Sequence, residues 1–179
     1  MSRATINWLG AIILAMICLS GNAKEQTTPP TMKFVGKWDS HAGIISFFVS
    51  EVGGQKQARM LVVDEHIENQ QSKLSIDLTT EELDDFEDLV LVTLKLVGDP
   101  DKLPIPPTDA KEVQKSVGTL IYPNAQLTLL IVDPPGTERY IRLLFKAPNR
   151  IVHDYWMEKE DLMSLKKLLD KTLKELGSS

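Results

Sequence analysis

Residues 33–63 read KFVGKWDSHAGIISFFVSEVGGQKQARMLVV and residues 115–145 read KSVGTLIYPNAQLTLLIVDPPGTERYIRLLF; the two lie over one another without a gap. Lys33, Val35, Gly36, Gly54 and Leu61 meet Lys115, Val117, Gly118, Gly136 and Leu143. After a three-residue difference in loop length, 78–98 lie over 157–177. There Glu81, Leu83, Leu89, Thr93, Leu94, Lys95 and Gly98 meet Glu160, Leu162, Leu168, Thr172, Leu173, Lys174 and Gly177. The identities are few, but apolar positions fall on apolar positions and turns on turns. A fixed internal period marks a duplicated structural unit, and it outranks any local assignment.

Within the first copy, 33–39 reads as a strand and 44–51 (IISFFVSE) as a strongly apolar one. Gly53-Gly54 signals a hairpin, because glycine reaches positive φ without steric cost. Strands are expected at 57–63 and 73–78, the latter with alternating character. The period then changes. Thr79 or Thr80 can cap a helix, and if Thr79 is the cap, Glu82 is placed for the reciprocal bond of a capping box. Leu83, Phe86, Leu89, Val90, Thr93, Leu94 and Val97 recur at helical spacing. The stretch 90–97 (VLVTLKLV) also alternates like a strand, and the second copy decides between the two. There 157–176 (MEKEDLMSLKKLLDKTLKEL) is an amphipathic helix with acids first and lysines later, matching the helix dipole. The second copy predicts strands at 117–121, 126–132, 138–146 and 151–156. Four prolines between 99 and 108 make 99–114 a connector. The expected fold is α+β. Two ββββα repeats (32–98 and 115–177) form one domain over 32–179, with antiparallel sheets packed against two helices about a pseudo-twofold axis. Whether sheets and helices exchange between the halves is left open by the pattern.

The N-terminus carries an export pattern. Arg3 supplies a positive start, 6–19 is apolar, and Gly21-Asn22-Ala23 offers small residues for cleavage. The apolar run falls short of the roughly 20 residues of a spanning helix. A signal peptide over 1–23, a flexible leader over 24–31 and a periplasmic or secreted destination are therefore expected, with no stable membrane span after cleavage. Cys18 is the only cysteine and would leave with the signal. A mature chain without it has no disulfide, thiol chemistry or cysteine-bound metal. Formal net charge is −5 and becomes −6 when Arg3 is lost. Such a balance argues against a polyanion partner, whose affinity rests on neutralised phosphates.

Candidate chemistry is sparse. Asp64, His66 and Glu68 form the densest polar cluster, but in an expected loop and without a metal-ligand spacing. Hence no metal is expected. His153-Asp154 is a tempting pair, yet neighbours in a strand point to opposite faces and cannot build a relay. No nucleophile elbow, phosphate loop, dinucleotide fingerprint or zinc-protease motif occurs, so no cofactor is expected. The best patch is Arg139, Tyr140, Arg142 and Lys146, beside the hairpin 133–136. Alternation puts Tyr140, Arg142 and Lys146 on one side of a strand and Arg139 on the other. Trp38, Phe47 and Phe48 read as core rather than site; Phe47 and Phe48 face opposite ways, so one is expected in the core and the other under a helix or at a subunit contact. The acidic start of the first helix and the lysines of the second would attract one another, within a protomer or across a homodimer, by little per exposed pair.

The element order and repeat length, over most of the chain after the leader, resemble the tandem ββββα repeats of the Pur-alpha and Whirly type. Residues 72–98 (SKLSIDLTTEELDDFEDLVLVTLKLVG) are similar to the last strand and helix of a Pur-type repeat. The resemblance implies single-stranded nucleic-acid binding through basic, aromatic-bearing sheet surfaces. The acidic balance and the export pattern depart from it. The expected role is accordingly non-enzymatic: an exported accessory protein that binds another exported protein, as an inhibitor or immunity factor would. A periplasmic hydrolase using His66 or His153, and a single-strand nucleic-acid binder, are the alternatives.

Overall fold

The computed structural model describes residues 32–40, 43–63, 73–98, 113–134, 138–148 and 150–177. The expected signal, the leader and most of the connector lie outside them. Strands β1 (Met32–Ser40), β2 (Gly43–Val52), β3 (Gln55–Val63) and β4 (Lys73–Leu78) form one antiparallel sheet in chain order, and α1 (Thr80–Gly98) follows. Strands β5 (Val113–Tyr122), β6 (Ala125–Asp133), β7 (Tyr140–Ala147) and β8 (Arg150–Met157) form the second, followed by α2 (Lys159–Leu176). The chain is α+β, built as two ββββα repeats. Among the described residues no helix is long and apolar enough to cross a membrane.

Local chemistry accounts for these elements. Gly53 and Gly54 take φ of 60° and 79°, closing the two-residue β2–β3 hairpin. β4 alternates exposed and buried along its whole length. At the start of α1 the Thr79 N–H donates to Glu82 Oε2 at 2.8 Å, and the Glu82 N–H donates back to Thr79 Oγ1 at 3.2 Å. That reciprocal pair is the expected capping box. Residues 90–97 are helical, since Val90, Thr93 and Leu94 pack inward at helical spacing.

Three details of the sequence reading change. Met157 ends β8 rather than opening the helix, which Glu158 caps through a box with Asp161. β5 begins at Val113, so it claims the last two residues of the expected connector. The gapless overlay also slips by one residue in the third strand. Bulges between Phe34 and Gly36 and between Ser116 and Gly118 keep β1 aligned with β5. Ile44 lies opposite Val63, whereas its counterpart Gln126 lies opposite Lys146. Met60, not Leu61, is therefore the equivalent of Leu143. Burial agrees: Ala58, Met60 and Val62 face the core, as do Ile141, Leu143 and Phe145. A one-residue slip would turn all of these outward, and the extra residue is taken up between β6 and β7.

The helices are exchanged between the repeats. α2 lies chiefly on β1, β2 and β3, while α1 lies chiefly on β5 and β6. A Cβ added at Gly36 would stand 2.8 Å from Leu168 Cδ1, and one at Gly118 would stand 2.6 Å from Leu89 Cδ1. These glycines are matched in the two copies because each lets the other copy's helix approach. Trp38 Nε1 donates to the Asp161 carbonyl at 3.1 Å and Lys171 donates to the Val35 carbonyl, both joining β1 to α2. The Tyr155 hydroxyl donates to the Val63 carbonyl at 3.3 Å, and Asn124 Nδ2 to the Ser75 carbonyl at 2.7 Å. Phe47, Met60, Leu83, Phe86, Leu129, Phe145, Leu165 and Leu169 are fully buried in one continuous core drawn from both repeats. Each such side chain contributes about 1.5–3 kcal/mol of transfer free energy.

Candidate functional site

With both inner sheet faces covered by helices, each sheet presents an outer face, and the two outer faces carry an equivalent feature. Arg59 on β3 and Arg142 on β7 occupy matching positions, and each grips an aspartate on the neighbouring last strand. Arg59 donates to Asp77 at 2.5 Å and 3.0 Å through Nε and Nη2. Arg142 uses the same two nitrogens on Asp154, at 2.9 Å and 2.6 Å. Such forked pairs fix a planar guanidinium. The hydrogen bond to Asp77 raises the Arg59 pKa above its ordinary value, against the opposing effect of burial.

The aspartates differ in place. Asp77 lies directly opposite Arg59, whereas Trp156 lies directly opposite Arg142 and Asp154 is two residues away. In the second repeat a tryptophan thus takes the position that an aspartate holds in the first. Its ring stacks on Tyr140, with centroids 4.7 Å apart and planes 8° from parallel. The Arg142 guanidinium carbon lies 5.7 Å from the centre of the tryptophan ring. Trp156 is nevertheless 59 % exposed. This large, exposed aromatic is held rigid by a stacked tyrosine and by an arginine that an aspartate pins in turn. On the first sheet the aromatics sit elsewhere: Phe34 and Phe48, on β1 and β2, meet at 5.4 Å with planes inclined by 58°. Phe47 is buried, so the two phenylalanines do face opposite ways; Phe48 lies on the outer face.

Of the residues expected at the site, Tyr140 and Arg142 come together around Trp156. Lys146 lies further along the same face of β7, exposed and outside the cluster. Arg139 is engaged elsewhere, donating to Asp133 at 2.8 Å across the base of the β6–β7 loop. There it staples the loop, and the tip of the hairpin at 135–137 lies outside the described residues. Trp156 and Asp154 were missed. The signal was present, because alternation in β8 puts both on the side opposite Tyr155, and pairing with β7 brings them to Arg142.

The histidines divide. His153 is 3 % exposed and points into the core, opposite Phe145 and stacked on Tyr155 with centroids 5.9 Å apart. Asp154 faces the other way, onto Arg142. The adjacent pair therefore forms no relay. His66, with Asp64 and Glu68, lies outside the described residues.

Comparison with protein-family models and with curated proteins returned no match.

Proposed function

We propose that this is an exported, non-catalytic accessory protein that binds another exported protein through the outer face of its second sheet. Trp156, Tyr140 and Arg142 form the centre of that face. The exposed, immobilised Trp156 ring carries the reading. Tryptophan, tyrosine and arginine are the residue types that dominate interface energetics, and a side chain already ordered loses little entropy when a partner covers it. The N-terminal export pattern supports the location, and inhibition or immunity are concrete forms of such a role. Arg142 is neutralised by Asp154 and the chain is net negative. Both features favour a protein over a nucleic-acid strand.

The test is affinity capture of the tagged protein in an envelope extract of its own source, followed by titration of the retained protein. Trp156→Ala should raise Kd about 30-fold or more, Arg142→Ala by a smaller factor, and Lys146→Ala hardly at all. Equal affinity for wild type and Trp156→Ala would reject this face. Uptake of a single-stranded oligonucleotide that falls steeply with salt would replace the reading by the nucleic-acid alternative.

A further inference from the structure

A second surface, on the helices, points to a different partner. α1 and α2 lie side by side, clasped by Lys166, which reaches Glu87 at 2.9 Å and Asp170 at 2.7 Å. Charges at this seam are satisfied within the chain. Those on the outward stripes make no ion pair among the described residues, although Lys171 donates to the Val35 carbonyl, and the stripes have opposite sign. α1 exposes Glu81, Asp84, Asp85 and Asp88, against a single lysine, Lys95. α2 exposes Lys159, Lys167, Lys171 and Lys174, against a single carboxylate, Glu160. Among the described residues none of Asp84, Asp88, Lys167 and Lys174 makes an ion pair. Asp88 and Lys167 stand at the same position of the two repeats, so matched sites carry opposite charges. Each stripe also bears one exposed apolar residue: Val92 at 45 % and Met163 at 43 %.

We infer that the helix layer is a self-complementary docking face whose partner is a second copy of this chain. A twofold axis running along the seam lays the acidic stripe of each copy on the basic stripe of the other, so that every favourable contact is made twice. This isologous match needs no other molecule to balance the charges. The helices have 19 and 18 residues. At about 1.5 Å per residue and about 10 Å per helix, the layer spans roughly 28 by 20 Å. It offers roughly 550 Å² per copy, the size of a transient interface. Exposed ion pairs contribute little each, and the dimer is accordingly weak and salt-sensitive, with a Kd in roughly the micromolar range.

Sedimentation velocity on the purified protein tests this. Wild type should pass from monomer to dimer as concentration rises, and raising salt from about 0.1 M to about 1 M should return it to monomer. Two variants reverse the stripes separately, Asp84→Lys/Asp88→Lys and Lys167→Glu/Lys174→Glu. Like charges then face each other, and each variant alone should dimerise about a hundredfold more weakly or worse. Mixed together, they should form a 1:1 heterodimer with affinity within about tenfold of wild type, because the acidic stripes again meet basic ones. Melting curves establish that both variants fold. A wild type that stays monomeric at about 100 µM, variants that dimerise as wild type does, or a mixture that remains monomeric would each overturn the inference.

Discussion

Replacing Gly118 by alanine tests the exchanged helices directly. The new methyl would stand 2.6 Å from Leu89 Cδ1. Carbon atoms rest about 3.5–4.0 Å apart, so about 1 Å must be found. Leu89 is nearly buried and surrounded by core side chains, and the helix that carries it is anchored along its length. Overpacking of this kind costs about 1–3 kcal/mol, while the stiffer unfolded chain returns about 0.4–1 kcal/mol. A net loss of about 1–2 kcal/mol should lower Tm by about 2–8 °C for a chain of this size. Leu89→Ala alone should cost about 2–5 kcal/mol through the cavity it leaves. Combined with Gly118→Ala, the loss should be less than additive by about 1 kcal/mol, because the added methyl enters the vacated space. Gly118→Ala combined with Leu168→Ala, in the same repeat, should be additive. Calorimetry on wild type and these five variants, which form two double-mutant cycles, reads both couplings. Coupling to Leu168 and none to Leu89 would refute the exchange.

Three further outcomes are expected. Thr79→Ala removes one arm of the capping box and should lower stability by about 1 kcal/mol, seen as a Tm drop of about 2–4 °C. Tyr122 buries its hydroxyl without a partner among the described residues, and burial, aided by Glu82 and Asp85, pushes its pKa up. Tyr122→Phe should therefore leave thermal stability unchanged or raise it by up to about 1 kcal/mol, and a clear fall in Tm would contradict that. Burial alone would raise the Asp170 pKa, but hydrogen bonding from Lys166 holds it below the usual carboxylate range. A depressed carboxylate stabilises the fold above its unfolded pKa, and that contribution is lost as pH falls below 3.8 through the folded value. Asp170→Asn should flatten this acid limb in a melting series, and an unchanged limb would count against the clasp.

Much of the architecture was legible because duplication supplied the same message twice. Residues 90–97 alternate and half of them are β-branched, yet Thr93 and Leu94 pair with Thr172 and Leu173 of an unambiguous helix. Both threonines do the same thing in the structure, donating to the carbonyl one turn back at 2.8 Å. The assignment of helices to sheets was not legible, because both sheets offer apolar faces and both helices an apolar stripe. Only Gly36 and Gly118 mark the close approaches, and nothing in their spacing says whose leucine arrives. The slip in the third strand was hidden by the loop that absorbs it. At the candidate site, single-strand alternation found Tyr140 and Arg142, while Trp156 emerged only from cross-strand pairing. Arg139 lies apart from that cluster because it pairs with Asp133 across the loop, a contact that single-strand alternation does not reveal.

The crossed helices also impose an order of events on the growing polypeptide. The first four strands are made early, but the lid that seals them, α2, follows the whole second sheet along the chain. Until then the inner side of that sheet stays wet, and pairs such as Lys33 with Glu175, 142 positions apart, have yet to meet. Cooperative closure must wait for α2, and contacts so distant along the chain slow it further. Loss of the final helix would strip the earliest sheet rather than its nearest neighbour.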